Sequence, residues 1–206
     1  MTAPGGNDQD FGFYVEGLFL RNYFYAGPRQ GNSCVRIAAA TNCHVRDCLL
    51  EGMGGVVMGG DPSPISGQGV LGGSVTRCWL RPATLPGQRA AHSIGIFCNA
   101  NQMLVEQCNI NGFYMGVAGP SAVVRDCRIE ICYIGIKLGI DMNEEGYPGG
   151  GEISNTMFDG NTISIWLASA AHIRGVDIIG EAWAPTFRTV TPMRLLALSS
   201  NHSLIG

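Results

Sequence analysis

The chain has 206 residues and a net charge of −3, with 46% hydrophobic residues, 14% charged residues and 30 glycines. That is enough for one domain with a sizeable core; the sequence has no basic run to mark a nucleic-acid or anionic-membrane surface and no apolar run long enough for a membrane-spanning helix. Few charges and many glycines suit short strands and tight turns rather than a helical bundle, and the opening "MTAPGGNDQD" carries no secretion signal.

In chain order, residues 1–12 read as a flexible, Gly-rich leader. From Val15 onward one template recurs: an aliphatic, two residues, a small or sulfur-bearing residue, one residue, then an apolar one. It fits Val15, Leu18, Leu20; Val45, Cys48, Leu50; Val75, Cys78, Leu80; Val105, Cys108, Ile110; Val124, Cys127, Ile129; Ile153, Thr156, Phe158; and Ile173, Val176, Ile178. The starts advance by 30, 30, 30, 19, 29 and 20 residues, so the motif is constant while the segments between motifs vary. A second strand-like piece follows each, usually after a glycine: Gly55 to Met58, Gly95 to Cys98, Gly116 to Gly119 and Gly135 to Leu138, with looser copies at Val35–Ile37, Ile165–Leu167 and Leu196–Leu198. Alternation of period two argues strand, the Gly and Asn clusters between argue turns, and no period of 3.6 is sustained.

Strand, bend, strand, turn with fixed inward spacing and variable loops is the signature of a parallel solenoid. The motif resembles the right-handed parallel β-helix of the pectin lyase-like superfamily, which includes polysaccharide lyases, polygalacturonase-like hydrolases and phage tailspikes. The resemblance covers residues 13–206. It implies an all-β fold, a single right-handed parallel β-helix of about seven coils, with a polysaccharide as partner and neither nucleic acid nor membrane. It is specific for fold and not for activity, because the superfamily's paired aspartates, His-Gly motifs and Arg-x-Lys element have no recognisable copy here.

Stacking would set Cys48, Cys78, Cys108 and Cys127 above one another at the bend, in a row that is often asparagine in that family. A metal or redox column is one reading; small polarizable residues filling an interior corner is the other. Side-by-side Cβ vectors make poor disulfides, and close Cys-x-x-Cys pairs or interleaved histidines for zinc are missing. Reduced thiols without a secretion signal favour cytoplasmic synthesis, with assembly into a virion as one destination. Five residues separate Leu167 from Ile173 and again Leu198 from Leu204, so an eighth coil is expected to open at Leu204. With no capping helix legible at either end, the expectation is a fragment of a longer β-helix or a chain capped by a partner.

Inward side chains are core, so chemistry falls to outward positions and long turns. Turns at 59–74 and 139–152 are expected to form ridges flanking a saddle about 14 Å long. Facing it would be Asn99, Asn101, Gln102, Glu106, Gln107, Arg125 and Asp126, with Asp61, Asp141, Glu144, Glu145 and Glu152 on the ridges. A hydrolase would use a carboxylate pair such as Glu106 and Asp126; a lyase would use Arg125 as base and recruit Ca²⁺ to acidic ligands. No other cofactor is implied. The plainer alternative for Glu106 and Arg125 is a surface ion pair worth under about 1 kcal/mol. Tyr23, Phe24, Tyr25 and Arg29 form an aromatic-basic cluster after Leu20, and Arg81, Arg89 and His92 are expected on the loop after Leu80; Tyr23 and Tyr25 would stack on sugar rings. Phe19, Leu49 and Trp79 line up outward, an apolar stripe that calls for cover by a loop or by another chain, as in a trimeric tailspike-like assembly. The alternative function is therefore a non-enzymatic structural or receptor-binding module of such an assembly.

Overall fold

The computed structural model describes residues 12–22, 33–37, 41–58, 70–83, 90–98, 100–139, 150–167, 170–179, 187–189 and 194–198. They form strands and no helix. The first are β1 (Phe13–Glu16), β2 (Phe19–Asn22), β3 (Ser33–Ile37), β4 (Thr41–Arg46), β5 (Leu49–Gly52), β6 (Gly54–Met58) and β7 (Val70–Thr76). Next come β8 (Trp79–Arg81), β9 (Ala90–Cys98), β10 (Ala100–Glu106), β11 (Asn109–Asn111), β12 (Phe113–Gly119), β13 (Ala122–Arg125) and β14 (Arg128–Glu130). The last are β15 (Ile134–Leu138), β16 (Gly150–Ser154), β17 (Met157–Asp159), β18 (Ile163–Leu167), β19 (Ala170–Ile179), β20 (Phe187–Thr189) and β21 (Arg194–Leu198).

Up to β18, every strand that pairs onward does so in parallel with a strand one tier later, three strands making a tier. The first sheet runs β1-β4-β7-β10-β13-β16-β19 and the second β2-β5-β8-β11-β14-β17-β19; the long β19 belongs to both and joins them, and β21 pairs with β19. The third runs β3-β6-β9-β12-β15-β18-β20. Register follows the template. Val15, Val45, Val75, Val105, Val124, Ile153 and Ile173 are successive partners, as are Leu20, Leu50, Leu80, Ile110, Ile129, Phe158 and Ile178. All but the first member of each column are buried, at roughly 1.5–3 kcal/mol per side chain relative to exposure.

The two interior corners use different devices. Between the first and second sheets a single left-handed residue turns the chain: Gly17, Asp47, Arg77, Gln107, Asp126, Asn155 and Gly175 have φ between +47° and +65°. Non-glycine residues tolerate the position because its N–H still bonds the neighbouring tier, as Gln107 N–H does to Arg125 O at 3.2 Å and Asp126 N–H to Ser154 O at 3.1 Å. One residue on, the thiols of Cys48, Cys78, Cys108 and Cys127 are buried and free. Each lies 3.1–3.3 Å from the carbonyl two residues back and 3.4–3.8 Å from a valine carbonyl of the preceding tier. Thr156 takes the same place with a hydroxyl donating to Ser154 O at 3.0 Å. A weak donor that fills space is what the corner asks for, and a thiol supplies it in four successive tiers.

At the third sheet the corner works by deletion. A Cβ on Gly95 would meet Gly116 O at 2.6 Å, one on Gly116 would meet Gly135 O at 2.6 Å, and one on Gly135 would meet Ser164 O at 2.6 Å. The recurring glycine before the second strand is therefore a close backbone approach.

Three expectations change. Leu18 is 47% exposed rather than interior, because no described strand pairs β1 or β2 on that side. Leu196–Leu198 is not a copy of the third-sheet strand. Phe187–Thr189 pairs with β18 there, while β21 places Leu195 opposite Ile173 in the first sheet, so the valine column continues at Leu195. A run of alternating aliphatics fits either sheet, and only the loop before it decides which. Finally, residues 70–74 and 150–152, expected in the two long turns, are strand, while 59–69, 140–149 and Leu204 lie outside the described residues.

Candidate functional site

Glu106 ends β10 and Arg125 ends β13, and parallel register makes them direct partners on the outer side of the first sheet. Arg125 Nε donates to Glu106 Oε1 at 2.6 Å. Asp126 and Gln107 follow them at the left-handed bend, both exposed. Glu152 lies one strand beyond on β16, opposite Val123, where it accepts from Arg174 at 2.7 Å. The structure thus brings Glu106, Gln107, Arg125, Asp126 and Glu152 onto one stretch of surface. The connections there are short, one residue between β9 and β10 and two between β12 and β13. Asn101 is opposite Leu71 in β10. Asn99, Asp61, Asp141, Glu144, Tyr23 and Tyr25 lie outside the described residues, and so do the ridges.

The chemistry of this face is dominated by pairing. Glu106 and Arg125 belong to a column that reads Glu16, Arg46, Thr76, Glu106, Arg125, Ser154, Arg174, with Glu16 on Arg46 at 2.8 Å as a second such pair. At the bend Arg77 holds both oxygens of Asp47 at 2.7 Å; this hydrogen bonding keeps the Asp47 carboxyl below its ordinary range, against a weaker desolvation effect. Glu106 and Glu152 each already face a guanidinium. Among the described residues no group of three or more His, Cys, Asp or Glu side chains is placed to hold a metal ion.

The 30-residue steps assemble two further clusters that inspection of single loops misses. On the first sheet His44 Nδ1 is 2.8 Å from Ser74 Oγ, and Tyr14 stacks on the imidazole at 5.1 Å. Among the described residues no carboxylate orients that imidazole, so the pair lacks the third member of a nucleophilic triad.

The second cluster is on the outer side of the second sheet. Its columns read Phe19, Leu49, Trp79, Asn109 and Arg21, Glu51, Arg81. Arg81 ends β8 and His92 lies in β9, so neither sits on the loop after Leu80. Phe19 and Trp79 are 55% and 51% exposed. Arg21 lies over the Phe19 ring and Arg81 over the Trp79 ring. Glu51 Oε2 takes Arg21 at 2.6 Å and Arg81 at 3.4 Å. Burial would raise the Glu51 carboxyl, but the hydrogen bond from Arg21 and the charges of Arg81 and Arg21 outweigh it and hold it below its ordinary range. One carboxylate serves two guanidiniums beside two open rings.

Burial pushes the Cys98 thiol up to about 12 and the Cys34 thiol up to about 11, away from thiolate character at neutral pH.

Comparison of the chain with protein-family models, with curated proteins and with solved structures finds no match.

Proposed function

We propose that the chain is a single right-handed parallel β-helix of about seven coils, of the pectin lyase-like kind, and that it recognises an extended polysaccharide along its outer surface. The fold part rests on parallel pairing repeated every three strands in three sheets. The observation that carries the function is the in-line pair of half-exposed rings, Phe19 and Trp79, two strands apart in one sheet. Rings held at that spacing, about 10 Å, offer apolar platforms to two sugars of one straight chain.

Recognition without cleavage is the form the geometry supports best, because Glu106 is committed to Arg125 rather than left open to a substrate. Retardation of the full chain in gels cast with a panel of polysaccharides is the test, run beside an assay for reducing ends and unsaturated products. Retardation without product is expected. Product release that Glu106→Gln or Asp126→Asn abolishes would instead make the chain a depolymerase, with those carboxylates as its acid and nucleophile or base. No retardation by any polysaccharide removes the reading and leaves the structural module of a tail-like assembly.

A further inference from the structure

We infer that the thiols of Cys48, Cys78, Cys108 and Cys127 form a binding row for a soft monovalent cation of the Cu(I) or Ag(I) class, each ion held end-on between the sulfurs of two successive tiers. Binding is an exchange of protons without redox change. Two thiols release two protons to solvent, each sulfur forms one bond to the ion, and the ion keeps its oxidation state.

Spacing carries the argument. The four cysteines each follow the left-handed bend residue in four successive tiers, and their carbonyls accept from the next tier at 2.8–2.9 Å. Each Sγ makes the same two contacts, to the carbonyl two residues back and to a valine carbonyl of the preceding tier. One corner is therefore a copy of the next displaced along the stack, and successive sulfurs stand about one strand spacing apart, roughly 4.8 Å. Two metal–thiolate bonds of roughly 2.3 Å laid end to end span nearly that distance. The side chains do meet along the row: Cys78 interacts with the thiols of Cys48 and Cys108, and Cys108 with that of Cys127. A straight row offers an ion two sulfurs and no more, since among the described residues no three His, Cys, Asp or Glu side chains converge to hold a metal. Four-coordinate Zn(II) is poorly served by that, whereas Cu(I) is an ion that thiolates select. The surroundings suit a cation as well. Each sulfur carries one proton and has two carbonyl oxygens within reach, so acceptors outnumber donors in the corner. The row ends at Thr156 on one side, where a hydroxyl replaces the thiol. On the other it ends under Leu18, which is 47% exposed and marks the side by which an ion enters. Four free thiols taken in neighbouring pairs make two sites, Cys48 with Cys78 and Cys108 with Cys127.

The test is titration of the full chain with Cu(I) under argon in competition with bicinchoninate, beside a titration with Zn(II). Uptake of two Cu(I) per chain, two sulfur neighbours per copper in X-ray absorption and no comparable uptake of Zn(II) are expected. Threonine keeps the corner, as Thr156 shows, so Cys→Thr variants separate the site from the fold. Cys48→Thr with Cys78→Thr leaves the neighbouring pair Cys108 and Cys127 and should keep one ion. Cys78→Thr with Cys127→Thr leaves as many thiols, two tiers apart, and should keep none. Cys34→Ser, outside the row, should change nothing. Urea unfolding reads whether the site is preformed: Cu(I) should raise the midpoint of the wild type, because an ion bound between ordered thiols favours the folded chain. The inference falls if the two double variants bind alike, if Zn(II) is taken up as tightly, or if absorption shows three or four neighbours. It falls equally if Cu(I) lowers the midpoint, the mark of thiols that bind only once the chain opens, or if the wild type takes no Cu(I) from bicinchoninate. Should a double variant fail to fold, the wild-type absorption spectrum and urea midpoint decide.

Discussion

The outer faces of the first and second sheets are built on the same stack, yet they pair charge in different ways. On the first, Glu16 meets Arg46, Glu106 meets Arg125 and Glu152 meets Arg174, one to one; its exposed ring, Tyr14, is 58% open and stacks on His44, with Arg46 over it. On the second, a single Glu51 is divided between Arg21 and Arg81, and Phe19 and Trp79 keep half their surface open. On the first sheet each of these carboxylates has a guanidinium within the chain, although Arg46 Nε is enclosed without a hydrogen-bond partner. The second leaves donors and apolar surface that a free chain gains nothing from holding in line. A ligand would use both.

That contrast assumes that both faces hang from one rigid interior, and the largest expected effect tests this. Gly116→Ala puts a Cβ 2.6 Å from the Gly135 carbonyl and 3.1 Å from Ile129 Cγ2. The tier has to shift, at about 1–3 kcal/mol, read as a lower denaturation midpoint in urea. Below that midpoint glycan retardation should be unchanged, since the substitution touches neither face. A neutral outcome would mean that the tiers slide and that the in-line rings are not fixed.

Glu51→Gln separates the faces next. It removes the carboxylate shared by Arg21 and Arg81 and should cost about 1 kcal/mol near neutral pH, since both guanidiniums are largely exposed, yet strengthen retardation by polygalacturonate because both guanidiniums are released to the ligand. The pH dependence has a definite sign. The folded Glu51 carboxyl is held below its ordinary value of 4.5, so its contribution is complete above that value and is lost as the pH falls through the lower, folded one. Urea midpoints measured from pH 6 downward should therefore converge for wild type and Glu51→Gln as the solution becomes acidic. Parallel curves would show that Glu51 stabilises nothing through its charge.

The same contrast shows what could be read from residues alone. The Val-x-x-Cys-x-Leu spacing was legible because one left-handed residue always separates the two inward strands, so Val45, Cys48 and Leu50 keep their intervals in every tier. The glycines before Val56, Ile96, Val117 and Ile136 were visible too, although only the 2.6 Å approach explains them. Leu196–Leu198 went to the wrong sheet because period two carries no label for which sheet a strand joins. The Arg21–Glu51–Arg81 column needed no more than the stacking already applied to the interior: 30-residue steps put three charges in register, just as they aligned three aliphatics. Reading loops one at a time gave Arg81 to a turn and hid that column. Glu106 and Arg125, separated by the short 19-residue step, come together as expected, and the ion pair that was the plainer reading of them is the bond they form.

The smallest expected effect concerns that bond. Glu106→Gln, Arg125→Gln and the double variant form a cycle whose coupling should not exceed about 1 kcal/mol, since the Arg125 side chain is 45% exposed and the bond is an exposed one. Each single change should leave glycan retardation as it is, because neither side chain belongs to the ring face. A coupling well above that value would mean that the pair is shielded from water, by a ligand or by chain laid over it, and the first sheet would then have to share the binding role assigned to the second. Weak coupling together with unchanged retardation would leave the pair as ordinary surface chemistry, and the asymmetry between the two faces would stand.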